Sequence, residues 1–300
     1  MTARWLPLLR TAAVLVFVLI GIGFVGWSLT RWSIEDADAY LAAAQRILDG
    51  KEFYPPALVE DPPLAYRGAP WFVYLWVPLT ALPREIVNVG WAALLLAASA
   101  WSVLPLILER RPAGLALAGL CGGLLVWTTS RGNVHPLVIA ALVHGAPRRS
   151  GPLWIALAAS LKAVPILFVL AYAVRREWLK VALSLLFTAI LVAPMPLMGW
   201  DPSRTPAGMS LSIYYQVGPT AWLIVAILAV AAAVVIALLW RRYMWIAAAT
   251  AAILALPRLI FYDFTYVLVG TSPPVVRGAQ QGSRQAGQPE SAPPGDSRAG

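Results

Sequence analysis

The sequence predicts an all-α fold: a polytopic membrane helix bundle with short re-entrant helices and an exterior loop that carries an amphipathic helix. Three observations predict it. The 300 residues are 60% hydrophobic and 12% charged, with a mean hydropathy of +0.71, whereas a soluble domain is about 45–50% apolar and about 25% charged. The charges also segregate. The arginine pairs Arg110/Arg111, Arg148/Arg149, Arg175/Arg176 and Arg241/Arg242 bound apolar stretches on one side, while Asp36, Asp38, Arg131, Lys162 and Arg258 fall on the other. Paired arginines mark cytoplasmic ends. Finally, Lys162 lies midway in the apolar stretch LWIALAASLKAVPILFVLAYAV. An intramembrane ammonium costs a few kcal/mol or more, so it points to function.

Each element follows in order. The uncharged run Thr11 to Thr30 is long enough to span a bilayer. It reads as an uncleaved first helix rather than a signal peptide. The acid-rich segment from Arg31 to Arg67 then suits an exterior loop. Within it AYLAAAQRIL is helical in pattern, with Tyr40, Leu41, Ala44, Ile47 and Leu48 on one face, and predicts a helix at the membrane surface. The aromatic, proline-bounded stretch 70–83 is too short to span easily and is placed at the outer interface. Spans over about 87–108 and 113–130 follow. The segment from Asn133 to Ala146 is short and broken by Pro136.

Both flanks of the Lys162 stretch carry arginine pairs, so one span cannot serve. Two short arms, about 153–161 and 164–174, turn at Lys162 and Pro165. Each arm reaches about 18 Å at 1.5 Å per residue, too little to cross the hydrocarbon core. A span over about 179–197, an exterior loop 198–218, a span over about 219–240 and two shorter segments, 243–256 and 259–270, complete a membrane domain of residues 1–270. The Gly/Pro/Gln/Ser/Arg-rich stretch 271–300 reads as a disordered cytoplasmic tail.

Several function classes recede. The net charge of +9 sits at helix ends, so no nucleic-acid partner is needed to explain it. The single cysteine, Cys121, excludes an intrachain disulfide, and two histidines without a Cys/His cluster argue against a structural zinc site. No cofactor is implied.

What remains is carboxylates and cations at one membrane face. Glu35, Asp36 and Asp38 directly follow helix 1. Arg131, Lys162 and Arg258 end later helices. A carboxylate can take a proton from an acceptor hydroxyl. Cations can hold a lipid-linked phosphate and stabilise it as it leaves, and an apolar groove between helices can hold a lipid tail. Structural readings stand beside these. Asp36 and Asp38 can be solvated acids at a helix start. Arg131 and Arg258 can snorkel to headgroups. Lys162 can sit in a structural ion pair, His135 can line the same cavity, His144 can be a packing residue, and Asp263 can partner Arg258.

The order of these motifs resembles the polyprenol-phosphate-mannose-dependent glycosyltransferases of family 87, integral-membrane enzymes of GT-C fold. The matching stretches are Asp36-Ala-Asp-Ala-Tyr40 with Asp49-Gly50, Tyr74-x-x-x-Pro78-Leu79, Arg131-Gly132-Asn133-x-x-Pro136, Ser160-Leu161-Lys162-x-x-Pro165, and Pro257-Arg258-x-x-x-Tyr262-Asp263. The resemblance implies Asp36 as catalytic base, with Asp38 in reserve. It implies Lys162, Arg131 and Arg258 as donor-phosphate ligands, and Tyr40, Asn133, His135, Tyr262 and Asp263 in support. It further implies a polyprenyl-phosphate-linked sugar donor, mannose above others, a glycolipid or glycan acceptor, and the outer face of the plasma membrane. The family's glutamine after the glycine is replaced here by Asn133, and its late histidine pair is absent. The rival reading is a transporter or lipid flippase with Lys162 in the substrate site. Inverted repeats would favour it, and the sequence has none.

Overall fold

The computed structural model describes residues 5–54, 66, 68–200, 216–257 and 259–272. Among them every regular element is helical. The order is α1 (Trp5–Thr30), α2 (Glu35–Leu48), α3 (Pro70–Tyr74), α4 (Arg84–Glu109), α5 (Pro112–Ser130), α6 (His135–Ala140), α7 (Gly151–Leu161) and α8 (Val169–Val174). There follow α9 (Trp178–Val192), α10 (Pro194–Leu197), α11 (Pro219–Leu239), α12 (Met244–Leu254) and α13 (Val267–Thr271). Short 3₁₀ segments at Val77–Ala81, Val164–Phe168 and Phe261–Tyr266 and a π turn at Ala141–Gly145 join them.

Among the described residues five segments are long and apolar enough to cross a bilayer: Pro7–Thr30, Arg84–Glu109, Pro112–Ser130, Trp178–Leu197 and Pro219–Leu239. Their large apolar side chains point outward, Leu19 and Leu29 on α1 and Leu228 and Leu239 on α11 among them. Water would not tolerate so much exposed hydrocarbon, whereas lipid does. The chain is a multi-pass membrane protein.

The outermost of these helices is held by glycine. α1 buries little of its surface, yet its backbone touches α5. A Cβ on Gly21 would lie 2.1 Å from the Gly119 carbonyl oxygen, and one on Gly123 would lie 2.3 Å from that of Gly21. Such close approach is how lipid-exposed helices associate where no hydrophobic force separates protein from solvent. Trp27 stacks on Trp127 beside it, with ring centroids 6.0 Å apart.

Three consecutive apolar helical stretches, His135–Gly145, Gly151–Leu161 and Val164–Val174, are shorter. At 1.5 Å per residue each reaches about 16 Å, roughly half the hydrocarbon core. The two arms expected around Lys162 are therefore present. Lys162 sits between them in extended backbone, φ −145° and ψ 114°.

The structure departs from the sequence reading at several points. Pro136 does not break a helix; it occupies the first turn of α6, where its missing N–H costs no hydrogen bond. The span after Trp178 bends at Ala193, where α10 restarts on Pro194. The apolar face of α2 does not lie free at the surface. Tyr40 packs edge-on against Phe72, Trp76 and Trp91, at 5.1, 5.0 and 6.1 Å between ring centroids. Ala37, Ala43 and Ala44 are buried beneath it. α2 is thus docked on α3 and α4, leaving Leu48 exposed. Most of the loop 198–218 and the tail beyond Ser272 lie outside the described residues.

Candidate functional site

The site is built on the turn that ends α5. Gly132 takes φ +73°, and a Cβ there would lie 2.9 Å from Ile34 Cγ2 and 3.1 Å from the Ala37 nitrogen. Only glycine fits both constraints. The turn presents its carbonyls to the segment leaving α1. Ser130 O accepts from the N–H groups of Ser33 and Ile34 at 3.0 and 2.9 Å, and Arg131 O accepts from the Asp36 N–H at 2.9 Å. Trp91 donates its indole N–H to Gly132 O at 2.8 Å. The first turn of α2 is thereby clamped onto the end of α5.

This clamp places Asp36. Its Oδ2 accepts from Asn133 Nδ2 at 2.5 Å. Asn133 Oδ1 in turn accepts the His135 backbone N–H at 2.9 Å, which fixes the amide's orientation. His135 is fully buried. Its Nε2 lies 2.8 Å from Thr265 Oγ1 and 3.2 Å from the Tyr262 carbonyl oxygen. Thr265 already donates its hydroxyl hydrogen to that same carbonyl at 2.7 Å. Nε2 therefore carries the ring proton, and Nδ1 is an acceptor without a hydrogen-bond partner among the described residues. The chain closes at Tyr262. Its hydroxyl accepts from Lys162 Nζ at 3.2 Å, and the ammonium also lies 4.3 Å from the ring centroid. Asp36, Asn133, His135, Tyr262 and Lys162 thus form one continuous polar set contributed by four parts of the chain.

The three acids at the head of α2 are sorted by their partners. Glu35 forms an ion pair with Arg131 at 2.7 Å. Asp38 forms one with Arg84 at the start of α4. Asp36 forms none among the described residues, and rests on Asn133. Burial pushes its carboxyl above the usual carboxylate range. The Asn133 hydrogen bond and the charge of Lys162 pull the other way, and the neighbouring Glu35 adds to the rise.

The other predicted residues stand as follows. The Arg131 guanidinium is taken by Glu35 and Ser33, so Arg131 serves Asp36 through its carbonyl rather than its charge. Tyr40 lies buried in the aromatic cluster beneath Asp36. Asp263 Oδ2 accepts the Ile260 N–H at 2.8 Å and shapes the turn that carries Tyr262. Arg258, and with it the expected Arg258–Asp263 pair, lies outside the described residues. His144 packs against Trp101, its ring stacked at 4.2 Å and its Nε2 2.9 Å from the Trp101 carbonyl oxygen. Among the described residues no group of three or more His, Cys, Asp or Glu side chains is placed to hold a metal.

Trp91, Thr265 and Arg84 escaped the sequence reading. Trp91 is one of 14 tryptophans, and nothing local distinguishes it. Thr265 sits three residues past Tyr262, on the same short helical turn, and that spacing was the available signal.

Beside the polar set, α3, α4, α6 and α7 enclose a groove of about 530 Å³, within the range of ligand cavities. Its walls are almost wholly apolar, and Asp36, Asn133, His135, Lys162 and Tyr262 do not line it. Among the described residues the one charged side chain in its wall is Arg148.

No known protein family, curated protein or solved structure matches the chain.

Proposed function

We propose that the protein is a GT-C-type membrane glycosyltransferase that moves a sugar, most suitably mannose, from a polyprenyl phosphate to a hydroxyl of a lipid or cell-wall glycan on the outer face of the plasma membrane. The observation that carries this reading is the pairing of Asp36 with Lys162 through Asn133, His135 and Tyr262. Among the described residues Asp36 is the acid of its turn that forms no ion pair, and the hydrogen-bonding partner of Lys162 is a phenol rather than a carboxylate.

That division suits the chemistry. Asp36 accepts the proton of the acceptor hydroxyl as its oxygen attacks the anomeric carbon. The bond from that carbon to the phosphate oxygen breaks, and the departing phosphate gathers negative charge. Lys162, with two ammonium hydrogens still available, stabilises that charge. Asn133 keeps the carboxylate aimed, and His135 locks the loop bearing Tyr262.

The test is direct. The purified chain, incubated with radiolabelled polyprenyl-phosphate sugars and a membrane lipid extract, is expected to transfer label to an extractable acceptor. No transfer from any such donor, under conditions where the protein is folded, defeats the reading.

A further inference from the structure

The groove between α3, α4, α6 and α7 is set apart from the polar set. At the end nearer Lys162, Trp71 donates its indole N–H across to Ser160 Oγ at 3.0 Å, with Leu161 behind it in the groove wall. At the other end the wall holds His144 and Arg148. His144 is occupied by Trp101. Arg148 is exposed, and its guanidinium has no hydrogen-bond or ion-pair partner among the described residues. Its turn lies at the arginine-rich end, since the Tyr172 hydroxyl, three residues before Arg175, donates to the Ala146 carbonyl.

An apolar slot in a membrane protein will be filled, because an empty one forfeits dispersion contacts along its walls. Charge decides by what. A donor with its phosphate at Lys162 would present no charge to Arg148. A phospholipid from the leaflet on the arginine side would bring its phosphate to Arg148 and run an acyl chain past Trp101 and Leu157 toward Leu161. Basic pockets between helices on the cytoplasmic side commonly bind anionic lipids in this way.

We infer that this groove is a binding site for an anionic glycerophospholipid, headgroup at Arg148 and one acyl chain between α4 and α7. The site is independent of the transfer reaction and does not need it.

Native mass spectrometry of the full chain in mild detergent tests it, with dioleoyl phosphatidylglycerol, dioleoyl phosphatidylcholine and a short polyprenyl phosphate as probes. Phosphatidylglycerol is expected to bind about five- to tenfold tighter than phosphatidylcholine. Arg148→Gln should erase that preference, while Arg149→Gln, whose side chain is outside the groove wall, should not. Leu157→Trp, which fills the slot, should remove binding of both phospholipids in a protein that still melts cooperatively. Equal binding of the two phospholipids, an unchanged preference in Arg148→Gln, or retained binding in Leu157→Trp would each overturn the inference. So would displacement of phosphatidylglycerol by polyprenyl phosphate that is sensitive to Lys162→Ala and indifferent to Arg148→Gln, since the groove would then belong to the donor.

Discussion

The Asp36 carboxylate and the Asn133 amide meet at 2.5 Å, although 97 positions separate them. The same Asn133 side chain is also the link to His135.

The first prediction separates the acids. Asp36→Asn keeps the shape and removes the base, so turnover should fall by about 10²–10⁴-fold, the usual contribution of a general base. Donor binding and expression should hold. Asp38→Asn breaks the Arg84 ion pair at the protein surface and should cost far less. A dead Asp38→Asn beside an active Asp36→Asn reverses the assignment, and full turnover in both removes these two acids from the role of base.

The second concerns pH. The folded-state pKa of Asp36 is raised above 3.8 by burial. Between 3.8 and that higher value the folded state holds a proton that the unfolded chain has released, so this group's contribution to stability declines as pH rises through the window. In the proposed reaction Asp36 can act as base only above it. Turnover of the wild type should therefore climb with pH through the same interval in which Asp36 weakens the fold. Asp36→Asn should flatten that part of the stability profile, read by thermal unfolding at stepped pH. A variant whose stability still falls in parallel with wild type contradicts the burial argument.

The third concerns Lys162. A charge-assisted phosphate contact contributes about 1.5–3 kcal/mol, so Lys162→Ala should weaken donor binding by roughly tenfold to a hundredfold. Titration calorimetry with polyprenyl phosphate would read it, and an unchanged affinity in a folded variant removes the lysine from the site. In a Cys121→Ala background, Lys162→Cys should react with a small thiol reagent added from outside. Labelling from the cytoplasmic side alone would overturn the expected orientation.

Most of the helical plan was legible in the sequence, and the site only half so. Hydropathy and arginine placement gave the long spans and the two arms around Lys162, because bilayer thickness dictates both. Local order could not say which of Glu35, Asp36 and Asp38 stays unpaired. That choice belongs to Arg131 and Arg84, 96 and 46 positions from the acids they hold. Periodicity gave α2 an apolar face but not its covering, since protein aromatics and lipid leave the same signature. Pro136 was misread for a similar reason: proline stops a helix from within and starts one from its first turn.

The fourth prediction concerns the turn. Gly132→Ala forces an L side chain into the left-handed region, which costs about 1–2 kcal/mol, and drives its Cβ against Ile34 and Ala37. The variant should melt earlier and lose activity together, because the clamp that seats Asp36 is the part displaced. An Ala variant with full activity would show that the clamp is dispensable.

The glycine contact between α1 and α5 has a consequence for how the chain is made. α1 leaves the ribosome before α5, and the backbone it nestles against, at Gly119 and Gly123, emerges about a hundred residues later. Through that interval α1 must hold its place in lipid without its contact to α5. The most apolar 18-residue window of its segment Pro7–Thr30, with a mean hydropathy of 2.5 and only 6% buried in the finished protein, is suited to that wait. The helix that leads into the Asp36 turn is therefore an early settler, and the contacts of that turn with Ser130 and Arg131 form only when α5 arrives to meet it.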